Sequence, residues 1–239
     1  MRRLLGHHRV LIITAVEAER AAIVAGLNKG GYEVAERIDH VETGNEVCVL
    51  ASGVGSAAAA AMTGHALATA SWMEADFSAV LSAGIGGGFV GPVEVGGLAI
   101  ATESIAADLG AESPDGFIPL EELGFGAGRF AADLGLLRTL AAALPTATAG
   151  SVLTVNTVTG TAERTEQLLR RCPGAVAEGM EGFGVAVATA AVSATAFCEF
   201  GEIRAISNPV GPRDRSAWQL PLALSALTEA FAALARFEA

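Results

Sequence analysis

The chain has 239 residues, of which 51% are hydrophobic and only 17% charged, so it can bury a sizeable core and is not a disordered segment. Its formal net charge of −11, from 15 basic and 26 acidic residues, argues against nucleic acid or an anionic membrane surface as partner. The three cysteines, Cys48, Cys172 and Cys198, are far apart and in no C-x-x-C pair, which argues against a disulfide framework or a zinc site and fits a reducing cytoplasm.

Met1 to His8 is short and basic and is expected as a solvated tail, with residues 9–239 forming one folded unit. Arg9 to Ala15 is a continuous apolar run, as expected for a strand buried on both faces, and is too short to span a membrane. A helix follows through Leu27, and Glu17 and Glu19 in its first turn suit the helix dipole. Tyr32 to Ile38 and Glu46 to Ala51 read as a strand pair. Ser52-Gly53-Val54-Gly55-Ser56 then turns into an Ala-rich helix, Ala57 to Ala70.

Phe77 to Ser82 is a further apolar strand, ending in what reads as a glycine turn from Ala83 to Gly88. Val95 to Ser104 is expected as a strand, Asp108 to Gly128 as a long loop, and Phe130 to Leu144 as a helix stopped by Pro145. Then come a strand at Gly150 to Val155, the polar loop Asn156 to Gly160, a helix at Thr161 to Arg171 and a short strand at Ala175 to Ala177. A helix from Gly179 to Ala194, a strand from Ile203 to Ser207 ending on Asn208, and a last helix from about Ala217 to Phe237 complete the chain. This alternation, without linker or repeat, predicts a single-domain α/β fold of three layers, with a mixed, largely parallel central sheet flanked by helices.

The candidate chemistry gathers at predicted strand ends, and most of it in Val176 to Arg215. Gly53-Val54-Gly55-Ser56-Ala57-Ala58 matches a dinucleotide G-x-G-x-x-A, but the next strand ends in Ser82-Ala83 with no acidic residue for a ribose. Glycines placed for close helix–strand packing explain that turn better, so no cofactor is expected. Between Ile38 and Gly128 the chain has no Lys or Arg but twelve Asp and Glu, so this segment suits a neutral, hydroxyl-rich ligand rather than a phosphate. His7, His8, His40 and His65 stand in no ligand spacing, and no G-x-S-x-G elbow occurs, so neither a metal nor a serine triad is expected. What remains is Glu19, Glu181 and Asn208 at the ends of three strand units. Each also has a bland reading: a helix-dipole residue, a helix-start residue and a strand-ending turn before Pro209.

Four segments carry a family resemblance over nearly the whole chain: A-V-E-A-E-R at 15–20, S-G-V-G at 52–55 with A-G-I-G-G-G at 83–88, G-M-E-G at 179–182, and R-A-I-S-N at 204–208. On these the chain resembles the nucleoside phosphorylase/hydrolase superfamily. It is similar to the bacterial 5′-methylthioadenosine/S-adenosylhomocysteine nucleosidases and, more closely, to the futalosine hydrolases. The resemblance implies that Glu19 activates the hydrolytic water, Glu181 binds the ribose hydroxyls and Met180 packs on the sugar. It further implies that Val158 and Thr159 form the base-contacting loop, with Ile85 and Gly86 beside base and sugar. Adenine-releasing nucleosidases carry an Asp where this chain has Asn208. An amide cannot be a proton donor to the ring, but it can donate to a 6-oxo oxygen and accept from a protonated ring nitrogen, which favours hypoxanthine or guanine as leaving base.

The expected activity is therefore hydrolysis of the N-glycosidic bond of futalosine, with release of hypoxanthine, in a route to menaquinone. Arg213 and Arg215 are candidates to meet the aryl carboxylate on the 5′ side of that substrate. The alternatives are a purine nucleoside phosphorylase, with Arg20 or Arg164 reaching phosphate, a methylthioadenosine/S-adenosylhomocysteine nucleosidase, and a nucleoside-binding protein without turnover. The resemblance also implies at least a homodimer.

Overall fold

The computed structural model describes residues 4–38, 47–193 and 197–237. Arg2, Arg3 and His40 lie outside them. The elements run β1 (Val10–Thr14), α1 (Glu17–Lys29), β2 (Val34–Ala35), β3 (Val47–Ala51), α2 (Ser56–Trp72), β4 (Ala79–Gly88) and β5 (Leu98–Ala106). They continue with β6 (Gly110–Ser113), β7 (Gly116–Pro119), β8 (Arg129–Ala131), α3 (Leu134–Ala143), β9 (Thr148–Thr154) and α4 (Ala162–Arg171). The last are β10 (Ala175–Gly179), α5 (Gly182–Ser193), β11 (Glu199–Pro209) and α6 (Leu220–Arg236).

The main sheet has the strand order β10-β9-β5-β11-β4-β1-β3-β2, with β8 added to β5. Most pairings are parallel; β4 with β10, β5 with β11 and β5 with β8 are antiparallel. Because β10 pairs with β4 as well as β9, strands β4, β11, β5, β9 and β10 close a circuit at one end of the sheet.

The apolar runs explain the three layers. On β1, Val10 and Ile12 join the core beneath α1 and α6, while Leu11 and Ile13 join the core beneath α2 and α5. Successive strand side chains point to opposite faces, so only a strand covered on both sides buries all five residues of β1. The stretch Arg215–Arg236 is long and apolar enough to cross a membrane by length and composition. Here α6 lies on α1 instead and buries Leu227, Phe231 and Leu234 in the core.

Several expectations are corrected. Residues 4–8 are not a solvated tail: Leu4 and Leu5 are buried in the core, and His7 Nε2 lies 3.1 Å from a Glu199 carboxylate oxygen. The run Ala83 to Gly88 is not a turn but the continuation of β4, paired with β11 on one side and, through Gly87 and Gly88, with β10 on the other. Asp108 to Gly128 is not all loop, since β6 and β7 form a hairpin within it. Phe130 lies on β8, and the helix begins only at Leu134, capped by the Asp133 carboxylate accepting from the Gly135 and Leu136 amides.

Candidate active site

A cavity of about 290 Å³ opens where β1, β4, β10 and β11 end, and it contains Glu19, Ile85, Gly86, Val158, Thr159, Met180, Glu181 and Asn208. The structure thus brings together eight of the ten residues singled out in the sequence. Arg213 stands next door, in a recess shared with Val158, Thr159 and Asn208, its guanidinium 5.3 Å from the Trp218 ring centroid. Arg215 lines neither space; it is exposed, in the short 3-10 turn Arg215–Ala217. Of the two arginines, the structure brings only Arg213 beside the cavity.

Glu19 is buried and held by three backbone amides. Its Oε2 accepts from Ala15 N (2.9 Å) and Val16 N (3.1 Å), and its Oε1 from Ile85 N (2.8 Å). The first pair follows from local geometry, because a residue three positions into a helix reaches back to the amide at its start. The third comes from β4 across the sheet. Burial pushes the Glu19 carboxyl up, against the pull of these amides and of Arg204.

Glu181 sits between β10 and α5. Its Oε1 accepts from Gly55 N at 3.1 Å, so the S-G-V-G turn delivers a backbone amide to it. Its Oε2 accepts from Met180 N at 3.3 Å and from Arg204 Nη1 at 3.4 Å. Arg204 is 1% exposed and lies under the pocket floor. It also donates from Nε to Glu202 Oε1 at 2.9 Å and from Nη2 to the Ser82 hydroxyl at 2.8 Å. Its burial opposes its charge, but Glu202, Glu181 and Glu19 outweigh that and hold the guanidinium protonated. Burial pushes the Glu202 carboxyl up, with Arg204 opposing.

This cluster explains why β4 is glycine-rich. A Cβ on Gly84 would stand 2.7 Å from Glu19 Oε1 and 2.9 Å from Arg204 Nη1. Only a bare Cα lets Glu19 and Arg204 approach the strand together.

Asn208 closes the far side. Its Oδ1 accepts from the Ser207 hydroxyl at 2.8 Å and its Nδ2 donates to Pro209 O at 3.0 Å. One N–H and one carbonyl lone pair are left for a ligand. Glu178, also in the lining and 4% exposed, accepts from Thr159 N at 2.9 Å and from the Thr159 hydroxyl. Burial pushes its carboxyl up, opposed by the Thr159 hydrogen bonds and Arg164.

Among the described residues, no Lys or Arg lines the cavity. Arg20 is engaged by Glu17 and Glu36. The arrangement offers two separately anchored carboxylates, an amide edge and an apolar wall that includes Val54, Val158 and Trp218. That suits a neutral polyhydroxylated ligand with a flat apolar part.

Glu178, Glu202, Arg204, Ser207 and Trp218 were missed in the sequence. A signal was present for three of them. Glu178 interrupts the buried run A-V-A-E-G, and Glu202 and Arg204 interrupt G-E-I-R-A-I. Charges inside a strand buried on both faces are expensive and need partners.

The phosphorylase superfamily is the family whose sequence pattern matches, over residues 9–236. The futalosine hydrolase of Streptomyces coelicolor is 47% identical over 229 residues, covering 95% of this chain and 94% of that protein. The futalosine hydrolase of Acidothermus cellulolyticus is 46% identical over 230 residues, covering 94% of this chain and 89% of that one. Among solved structures, the 5′-methylthioadenosine/S-adenosylhomocysteine nucleosidase of Neisseria meningitidis, in complex with methylthio-immucillin-A, superposes with a TM-score of 0.75 at 20% identity, over 96% of this chain and 99% of that one. The native futalosine hydrolase of Helicobacter pylori superposes with a TM-score of 0.70 at 20% identity, over 93% and 94%. At such identities the structural likeness shows the fold.

Proposed function

This chain belongs to the phosphorylase superfamily, and from that premise we propose that it hydrolyses the N-glycosidic bond of futalosine, releasing hypoxanthine in a route to menaquinone. The substrate follows from the near-full-length identity to futalosine hydrolases. The structural observation that carries the reaction type is one cavity that holds Glu19, Glu181 and Asn208 and, among the described residues, is lined by no cationic side chain.

In this reading the C1′–N9 bond lengthens first and the sugar gains oxocarbenium character. Glu181 holds the ribose hydroxyls against that charge. Glu19 takes a proton from a water on the face opposite the base, and the water oxygen bonds to C1′, so the configuration inverts. Its raised proton affinity suits a general base better than an ordinary carboxylate would. Met180 and Ile85 support the sugar, and Val158 and Thr159 flank the base. Asn208 donates to O6 and so stabilises the departing 6-oxopurine. It supplies no proton; the base takes one up in exchange for the one Glu19 returns to solvent.

Arg213 is the arginine we assign to the substrate carboxylate, reaching it from the recess beside the cavity where it stands over Trp218. Replacing Arg213 by Ala should raise KM and leave kcat nearly unchanged. Association into at least a homodimer and a cytoplasmic setting belong to the same reading. Light scattering on the purified protein tests the first.

The decisive experiment incubates the protein with futalosine, inosine and methylthioadenosine, each with and without phosphate, and follows free base by chromatography. Phosphate-independent release of hypoxanthine from futalosine is the expected result. Adenine from methylthioadenosine would overturn the base assignment, release only with phosphate would make the protein a phosphorylase, and binding without release would make it a sensor.

A further inference from the structure

The hydrolytic mechanism leaves one buried carboxylate in the cavity unused, Glu178. We propose that Glu178 is a second base-recognising residue, whose carboxylate accepts a hydrogen bond from the N1–H of a 6-oxopurine while Asn208 reads the O6 and N7 edge. The inference rests on the purine nucleoside reading above and adds to it the selection against 6-aminopurines.

The sheet register carries the argument. Glu178 on β10 and Asn208 on β11 both pair with Gly87, from opposite sides of β4. Residues paired laterally across a sheet share a face, and adjacent strands are about 4.8 Å apart. Glu178 and Asn208 are therefore two strands apart in one row, with roughly 10 Å between their backbones. A side chain on Gly87 would crowd the Asn208 side of that row: its Cβ would stand 3.5 Å from Asn208 Nδ2 and 2.9 Å from Val210 Cγ2. The glycine keeps open a slot that a flat base can enter, with one polar group on each side.

Hydrogen bonding supplies the second strand of the argument. The backbone N–H and the hydroxyl of Thr159 are both donated to Glu178. Thr159 belongs to the loop that flanks the base, so its donors are taken up and the edge facing the base presents acceptors. Each carboxylate oxygen retains a further lone pair. A 6-oxopurine carries a hydrogen on N1 and satisfies that edge. A 6-aminopurine carries a bare lone pair on N1, which would face the carboxylate with no proton between them. A buried polar site rejects such a mismatch strongly, because both groups stay unpaired.

The test is Glu178→Gln, read as direct binding of free hypoxanthine and free adenine by calorimetry. The Thr159 N–H donates to one Glu178 oxygen and its hydroxyl to the other. In Gln the carbonyl keeps the N–H bond, and the NH2 donates to the hydroxyl, which turns round to accept. The second NH2 hydrogen then stands where the base met a lone pair. The ratio of adenine to hypoxanthine Kd should fall by about 10- to 100-fold relative to the unaltered protein, the range for a hydrogen bond to a charged group. A ratio unchanged within about 3-fold overturns the proposal, since a residue that merely braced the Thr159 loop would weaken both bases together. Should the variant not fold, 1-methylhypoxanthine on the unaltered protein decides: it should bind at least about 10-fold more weakly than hypoxanthine, and equal binding refutes the contact. The two readings fail separately. If the unaltered protein releases no hypoxanthine from futalosine yet binds the bases with the predicted ratio, the activity is wrong and Glu178 stands. Release of hypoxanthine with an unchanged ratio removes Glu178 alone.

Discussion

Replacing Arg204 by Met should cost the fold more than any loss of surface charge could. The guanidinium is buried beneath the pocket and donates to Glu202, Ser82 and Glu181 at 2.9, 2.8 and 3.4 Å. Methionine keeps much of the volume but removes every one of these bonds, leaving the fully buried Glu202 without its counter-charge. Breaking one side of such a pair costs about 3–5 kcal/mol. For a chain of this size that is a fall in Tm of roughly 6–20 °C. Without Arg204 the folded-state pKa of Glu202 rises further above its unfolded value. The folded state then binds more protons than the unfolded chain, so stability falls as pH rises. The deficit should thus be larger at pH 8 than at pH 5. The assay is urea unfolding followed by circular dichroism at both pH values and one fixed protein concentration, since association would shift the midpoint. Adding Glu202→Met should recover most of the loss, because a buried ion pair replaced by apolar side chains is often close to neutral. A single variant within about 1 kcal/mol of the parent at pH 8, or a double variant no better than the single one, would refute the account of this cluster.

The Glu19→Gln variant should lose turnover by at least about 10³-fold while still binding hypoxanthine, because the amide keeps the shape but cannot take a proton from water; turnover within tenfold of the parent removes Glu19 from the role. Because burial raises the Glu19 pKa, the working carboxylate is lost as pH falls through that raised value. The acid limb of kcat against pH should therefore lie above the ordinary carboxylate range, and a limb at the ordinary value would contradict this. Asn208→Asp should move the preference towards 6-aminopurine nucleosides, as competition between inosine and adenosine would reveal. Survival of the 6-oxopurine preference would show that Asn208 does not read the base.

Much of the architecture was legible without coordinates. The fully apolar run of β1 and the Ala-rich α2 declare their structures through local pattern alone, because burial on two faces demands uninterrupted hydrophobicity. Glu19, Glu181 and Asn208 were legible for a related reason: each is a polar residue at the end of an apolar element. Where local signals misled, glycine was the usual cause. Ala83 to Gly88 carries the composition of a turn, yet it is strand, since Glu19 and Arg204 approach Gly84 too closely for any side chain. The hairpin of β6 and β7 escaped detection because strands of four residues carry too little periodicity to stand out from loop.

The sequence by itself determined the layered α/β fold, the alternation of its elements and the polar residues that end them, because these follow from which side chains water rejects along a single segment. Only the tertiary structure decided that Arg204 joins Glu181 to Glu202, that Ile85 reaches back to Glu19, that Glu178 takes up the donors of Thr159, and that Arg215 stands apart. Partners of this kind come from segments up to 126 residues apart, as with Gly55 and Glu181. Charge pairing and amide donation act over a few ångströms in space, and sequence separation carries no record of that distance until the sheet has set its register.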